Sequence, residues 1–329
     1  MRVAVVHNAV APEEKDPATL DVLEQVEFIG GLLAKTGHGW KAFALDRNVR
    51  DTLTRLRAFK PDRIFNLVES VGGDATLHPC AAALWELLGI PHTGASSFAL
   101  ALTTDKSLAN SFLVARGLPT PEWAVCRGEE ENWRAVPSPW ILKPTLEDGS
   151  VGIDEDNVVR DAAFMPDKLR AMQERFPDQA ILVEHFVDGR EFHVAILGSP
   201  TGPRPLPPVE IVFLDYPPGK ERILTFRAKW EPSSFEYEHT HLRLDFPPEE
   251  SSLLEQLQDL AVSCWHAFHL RGYARVDMRV GEGGQPFVLE INANPRLSPD
   301  GLFGQAVARA GLTQEQMLEM ILEDCVWTA

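Results

Sequence analysis

The stretch that most limits what this chain can become runs from Tyr273 to Gly301, YARVDMRVGEGGQPFVLEINANPRLSPDG. Alternation places Ala274, Val276, Met278 and Val280 on one face of a strand, and the turn at Gly281 to Gly284 closes a hairpin. The returning strand, Phe287 to Ile291, sets apolar residues around Glu290. Strand side chains repeat every second residue, so Arg275 projects to the side of Asp277. Asp277, Glu290 and Asn292 are then three oxygen donors on adjacent strands. Such a set suits Mg²⁺, which takes one or two carboxylates and completes its shell with waters and phosphates. A surface hairpin with solvated acids is the plain alternative, but acids inside apolar strands call for a cation.

RVDMRV…FVLEINANPRLSPDG resembles the C-terminal metal site of ATP-grasp ligases, most closely that of the D-alanine–D-alanine ligase group. The resemblance implies that Asp277, Glu290 and Asn292 hold two Mg²⁺ on ATP, with Mn²⁺ as an alternative ion, and that Arg275 steadies the oxyanion of the intermediate.

A chain of 329 residues exceeds one typical core, so two or three domains are expected. A net charge of -17 argues against nucleic acid, whose phosphates need a basic surface. No run of about 18 apolar residues occurs to span a membrane. MRVAVVHN is too short and too soon polar for a signal peptide, and the four cysteines are in no metal or redox spacing. A reducing cytoplasm is the expected setting.

From the N-terminus, Arg2–Val6, Asp21–Lys35, Trp40–Leu45, Arg50–Phe59 and Arg63–Val68 read as strand, helix, strand, helix, strand. That order predicts a parallel sheet with ligands at the carboxyl ends of its strands. Two loops lie there, HNAVAPEEKD with Glu13 and NLVESVGGDATLH with Glu69. They are substrate loops or ordinary turns. The first stands where the ligase group has a Gly-Gly-x-Ser-x-Glu stretch, which this chain lacks.

Further along, TTDKSLANSFLVARGLPTP resembles the family segment whose lysine, here Lys106, contacts ATP phosphate. In WILKP an inward Lys143 on an apolar strand needs an anionic partner, and a phosphate oxygen is a natural one. The turn Gly149-Ser150-Val151-Gly152 can aim N–H groups at phosphates and resembles the flexible ATP-grasp lid. ILVEHFVDGREFHVAIL reads as two strands about a tight turn. By resemblance Glu184 reads the adenine edge, Phe186 and Val187 line the base pocket, and Glu191 holds the ribose hydroxyls.

Arg222 to Trp230 reads as a strand entering a loop, and RAKWEP resembles the mobile loop whose lysine, Lys229, reaches the γ-phosphate. His239 and His241 have metal-ligand spacing without a third ligand and read as solvent-facing strand residues. Ser252 to Leu270 is an amphipathic helix, and Leu302–Ala310 and Thr313–Val326 are closing helices.

The expected fold is α/β and α+β, with an N-terminal parallel-sheet domain (1–95), a central ATP-grasp part with the lid (96–180) and a C-terminal part with the metal site (181–329). The resemblance implies an ATP-dependent carboxylate–amine ligase working through an acyl phosphate, with Arg275, Lys229 and Ser150 as catalytic residues. Its partners are small amino acids or peptides, and the family's habit implies a homodimer. The serine that in the family hosts the second substrate's carboxylate aligns with Gly301, beside Asp300, so D-alanine is not implied as the substrate. A phosphotransferase and a non-catalytic ATP-binding protein remain as alternatives.

Overall fold

The computed structural model describes residues 1–128 and 131–325. The chain opens with β1 (Arg2–Asn8), α1 (Pro17–Lys35), β2 (Gly39–Leu45), α2 (Val49–Phe59) and β3 (Arg63–Leu67). Strand order is β2-β1-β3, all parallel, as the alternation of strands and helices predicts. Helix α1 starts because Asp16 accepts from Thr19 N–H and Pro17 occupies its first turn. Its Val22, Val26, Ile29 and Leu33 are buried against the sheet. Next come α3 (His78–Leu87) and α4 (Ser97–Thr104). The second of these falls in a stretch for which the sequence pattern predicts no element. Ser96 caps it by accepting from Ala99 N–H.

A second sheet follows. Its elements are α5 (Lys106–Ala115), β4 (Trp123–Cys126), β5 (Trp140–Pro144), β6 (Val158–Val159), α6 (Met165–Arg175) and β7 (Ile181–His185). The strands are antiparallel in the order β4-β7-β5-β6. Trp133 and Trp140 meet edge to face at 5.4 Å in a core completed by Leu142, Met165, Leu169 and Val183.

The last part contains β8 (Gly189–Leu197), β9 (Arg204–Pro205), β10 (Val209–Phe213), α7 (Phe226–Trp230), α8 (Phe235–His239), β11 (Thr240–Arg243), α9 (Ser251–Ala267), β12 (Tyr273–Gly281), β13 (Pro286–Asn292), α10 (Leu302–Arg309) and α11 (Gln314–Glu323). The third sheet is antiparallel, β11-β10-β8-β12-β13, with β9 added on β8. Leu257, Ala261 and Cys264 of α9, with Phe268 just beyond its end, pack against Val276 and Met278, as the helical spacing predicts. Tyr273 and Phe303 share a core with Val3, Val5 and Ile29, which fastens the first sheet to the third. The expected end of the last helix, Val326, lies outside the described residues.

Two expectations change. Residues 226–230 form a helical turn rather than the expected passage from strand into loop, because Thr225 caps it by accepting from Ala228 N–H. His239 is not a strand residue facing solvent. It ends α8 with its ring stacked on Phe235 at 3.9 Å. Among the described residues, no helix is long and apolar enough to cross a membrane.

Candidate functional site

The site is built on the middle of the third sheet. Arg275, Asp277 and Arg279 share one face of β12, and Ala195, His193 and Glu191 stand opposite them on β8. On the other side, β13 sets Asn292 opposite Arg275 and Glu290 opposite Asp277. The register then passes from Glu290 to Val288, which leaves Leu289 as an extra residue. A bulge re-aims side chains, and both Leu289 and Glu290 line the cleft.

This face carries a buried ionic row. Arg275 forks onto Asp277, Nε to Oδ1 at 2.6 Å and Nη2 to Oδ2 at 2.8 Å. His193 Nδ1 also comes within 2.6 Å of Asp277 Oδ1, too obliquely for a hydrogen bond, and its Nε2 is 3.3 Å from Glu191 Oε1. Arg279 closes the row, with Nε 3.2 Å from Glu191 Oε2. Burial works to raise the Asp277 carboxyl, but Arg275 and His193 outweigh it and hold the group far below the ordinary carboxylate range. Glu191 is likewise raised by burial and lowered more by His193 and Arg279, which leaves it at about 2.

The three expected lysines come to the same cleft. Lys106 donates to the Glu147 carbonyl and sits 3.3 Å from Asp148 Oδ1. Lys143 finds its anion within the protein: it pairs with Glu184, whose other oxygen accepts from Asn110 Nδ2 at 2.7 Å. Burial lowers the Lys229 ammonium, and the nearby Arg275 lowers it further, against the pull of Glu290 and Asp277. Burial and the facing Glu290 raise the Asp148 carboxyl to about 6, against the pull of Lys106.

The lid turn is strained and held. Gly149, Ser150 and Gly152 have φ of +64°, +64° and +76°, and the middle residue has no glycine freedom there. Ser150 Oγ donates to Leu224 O at 2.7 Å, Trp230 Nε1 donates to Gly149 O at 3.1 Å, and Phe226 N–H donates to Ile153 O. The lid and the Lys229 segment are therefore stitched together.

One cleft of about 780 Å³, open to solvent, gathers Lys106, Lys143, Ser150, Glu184, Phe186, Val187, Glu191, Lys229, Asp277 and Glu290. Asn292 stands at the end of β13, where its Oδ1 accepts from Asn294 N–H at 2.9 Å.

The substrate-side residues are more scattered. Glu13 is exposed on the loop after β1. Asp300 is exposed, 3.5 Å from Arg296, and Gly301 caps α10 and donates its N–H to Ser298 O. Glu69 follows β3 and keeps surface open to water. Crowding there, with the charges of Asp21 and Asp148, pushes its carboxyl up to about 8. Asp21 was missed by the sequence reading. It is buried on α1 with Oδ1 3.0 Å from Arg296 Nε, and its one signal is an acid among the inward positions of that helix. His193 and Arg279 were also missed, although each is a polar residue at an inward position of an apolar strand.

The donor set fits a divalent cation. Asp148 and Glu290 repel one another and a cation would relieve them, whereas Asp277 is already paired. Among the described residues no three His, Cys, Asp or Glu form a metal cluster, so a cation held by Asp277, Glu290 and Asn292 would take the rest of its shell from phosphates and waters.

The family described as D-ala D-ala ligase C-terminus matches residues 112–323. This chain belongs to the D-alanine–D-alanine ligase-like ATP-grasp family. It is an ATP-dependent carboxylate–amine ligase, an enzyme that forms a C–N bond. A D-alanine–D-alanine ligase of Chromohalobacter salexigens is 34% identical over 82% of this chain and 80% of its own. Protein y4sG of Sinorhizobium fredii, described as uncharacterized, is 30% identical over 98% of this chain and 96% of its own. Among solved structures, D-alanine–D-alanine ligase of Bacillus anthracis complexed with ATP superposes with a TM-score of 0.75 at 22% identity, covering 99% and 97% of the two chains. The VanG D-Ala:D-Ser ligase of Enterococcus faecalis gives 0.72 at 18%, covering 99% of each. These two likenesses show the fold, and with it the expected α/β and α+β architecture of this ligase.

Proposed function

We propose that this ligase binds ATP in the cleft between the second and third sheets and joins an amino acid, or a similar carboxylate, to an amine. One observation carries the reading: three lysines, the lid and the carboxylates Asp277 and Glu290 converge on a single cleft beside an apolar slot at Phe186 and Val187. The base lies in that slot near Glu184, and the ribose hydroxyls lie on Glu191. Lys106, Lys143 and the turn Gly149-Ser150-Val151 face the phosphates. Asp277, Glu290 and Asn292 would hold Mg²⁺, which when bound offsets charge on the phosphates.

The substrate carboxylate oxygen bonds to the γ-phosphorus as the bond to the β-phosphate oxygen breaks, and ADP leaves. Lys229 lies against the negative charge that gathers there. The amine nitrogen then attacks the acyl carbon, Arg275 faces the oxyanion, and the C–O bond breaks to release phosphate as the nitrogen gives up its proton. No side chain forms a covalent bond; the rate comes from positioning and charge. Closure of the stitched lid keeps water from the acyl phosphate.

Glu13, Glu69, Asp300 and Gly301 border the substrate end, and a small amino acid or peptide fits that reading. With Gly301 in place of a hydroxyl donor and Asp300 beside it, a carboxylate is poorly received there, which favours a pair of substrates other than D-alanine with itself. The three sheets are read as units divided near residues 95 and 180, in a cytoplasmic homodimer.

The test is phosphate release from Mg²⁺-ATP with amino acids and dipeptides, singly and in pairs, read together with product masses. A condensed product from an unlike pair is expected. ADP formed without any condensed product would turn the reading to a phosphotransferase.

A further inference from the structure

We propose that Arg279 is a positioning residue of the nucleotide site: it orients Glu191 toward the ribose hydroxyls and ties that carboxylate to the segment carrying Lys229. The proposal rests on the ATP reading above. Arg279 is 3% exposed on an otherwise apolar strand, where an arginine persists only if its donors are satisfied. Its planar head satisfies them in three directions. Nε meets Glu191 Oε2, Nη1 donates to Val187 O at 3.0 Å, and Nη2 donates to Arg222 O. The guanidinium also lies over the Phe186 ring, 4.8 Å from its centre. Each of these groups borders the cleft or begins a segment that does.

The arrangement has two consequences. Glu191 has Oε1 facing His193 and Oε2 facing Arg279, so its carboxylate cannot turn, and its remaining lone pairs point one way. A vicinal diol presents two O–H donors to such a carboxylate. The second consequence runs through Arg222, which leads into Ile223 and Leu224 of the cleft wall, and Leu224 O holds the lid through Ser150. A nucleotide that settles on Phe186 and Glu191 therefore presses on the same guanidinium that anchors the Lys229 segment. A lysine has no fixed fork and cannot hold all three partners.

The experiment measures binding of ATP, 2′-deoxy-ATP and 3′-deoxy-ATP by calorimetry to the wild type, Arg279→Lys and the double variant Glu191→Gln/Arg279→Met. In the double variant no buried charge is left without its partner, and its melting curve confirms that it folds. The wild type is expected to lose about tenfold or more in affinity with a ribose hydroxyl, the worth of a hydrogen bond to a charged group. Both variants should bind ATP at least about 30-fold more weakly and lose less than about threefold on removal of the hydroxyl. Limited trypsinolysis at the exposed Arg222 and Arg227 gives a second readout. With nucleotide at about ten times each protein's own Kd, so that occupancies match, ATP should protect these bonds in the wild type and not in the variants. Variants that keep the wild-type ratio between ATP and its deoxy forms, or the wild-type protection, would overturn the proposal. A folded wild type with no affinity for ATP would overturn the ATP reading itself.

Discussion

Lys143 on β5 and Glu184 on β7 form an ion pair inside the cleft, with only 13% and 1% of their side chains exposed. A pair so buried is held by mutual need: losing one partner strands the other charge, while losing both is far milder. Lys143→Met should destabilise the fold by about 3 kcal/mol, and Lys143→Met/Glu184→Gln should return to within about 1 kcal/mol of the wild type. Urea denaturation measures both. Each variant should lose kcat/KM about 100-fold or more, because the proposed nucleotide site lies against both residues. Equal destabilisation by single and double variants would mean that the pair is not coupled.

Trp230 holds the lid by one bond, Nε1 to Gly149 O at 3.1 Å. Trp230→Phe keeps the ring and removes the donor. We expect stability to fall by about 1 kcal/mol or less. The KM for ATP should rise several-fold, since an unlatched lid closes less completely. An unchanged KM would show that the Ser150 and Phe226 bonds hold the lid without Trp230.

Glu191 links pH to stability. Its carboxyl ordinarily titrates near 4.5 and in the folded protein near 2, so the unfolded chain binds more protons between those values. A depressed acid stabilises fully above its unfolded value, and the contribution disappears as pH falls toward 2. Glu191→Gln should therefore be less stable than the wild type at pH 6 to 7, and the gap should narrow steadily below about pH 4.5. Chemical denaturation along a pH series reads it directly; a constant gap would contradict the assignment.

As the proposed metal ligands, Glu290 and Asp277 differ because Asp277 already carries Arg275 and His193. Removing the less encumbered carboxylate should hurt metal binding and spare the fold. Glu290→Gln is expected to raise the Mg²⁺ concentration for half-maximal activity by about tenfold or more, the scale of a lost hydrogen bond to a charge. Its melting temperature should change little, since Glu290 repels Asp148 but attracts Lys106, Arg275 and Lys229. Asp277→Asn should melt lower, as it leaves the Arg275 charge short of its partner. A titration of Mg²⁺ with parallel thermal melts separates the two variants.

Much of this protein follows from local pattern. The 3.6-residue stripe Leu257–Ala261–Cys264–Phe268 and the two-residue alternation Ala274–Val276–Met278 each state which face must be buried, whatever lies opposite. The same alternation places Arg275, Asp277 and Arg279 on one side of β12, and Lys143, Asp277 and Glu290 were likewise legible as charged residues in apolar strands, whereas Lys106, Glu184, Glu191 and Lys229 stood out only through the family resemblance. What neighbours those charges meet was not legible, because partners in a sheet come from distant stretches of chain. Only the pairing of β12 with β8 puts His193 between Glu191 and Asp277, and only the bulge at Leu289 turns Glu290 into the cleft. Asp21 waits on α1 for an arginine 275 residues later, and the helical turn at Lys229 depends on a cap at Thr225 that overrides the strand-like pattern around it. Periodicity is a property of neighbouring residues and is written in the chain. Charge pairing is a property of proximity in space, and folding alone decides it.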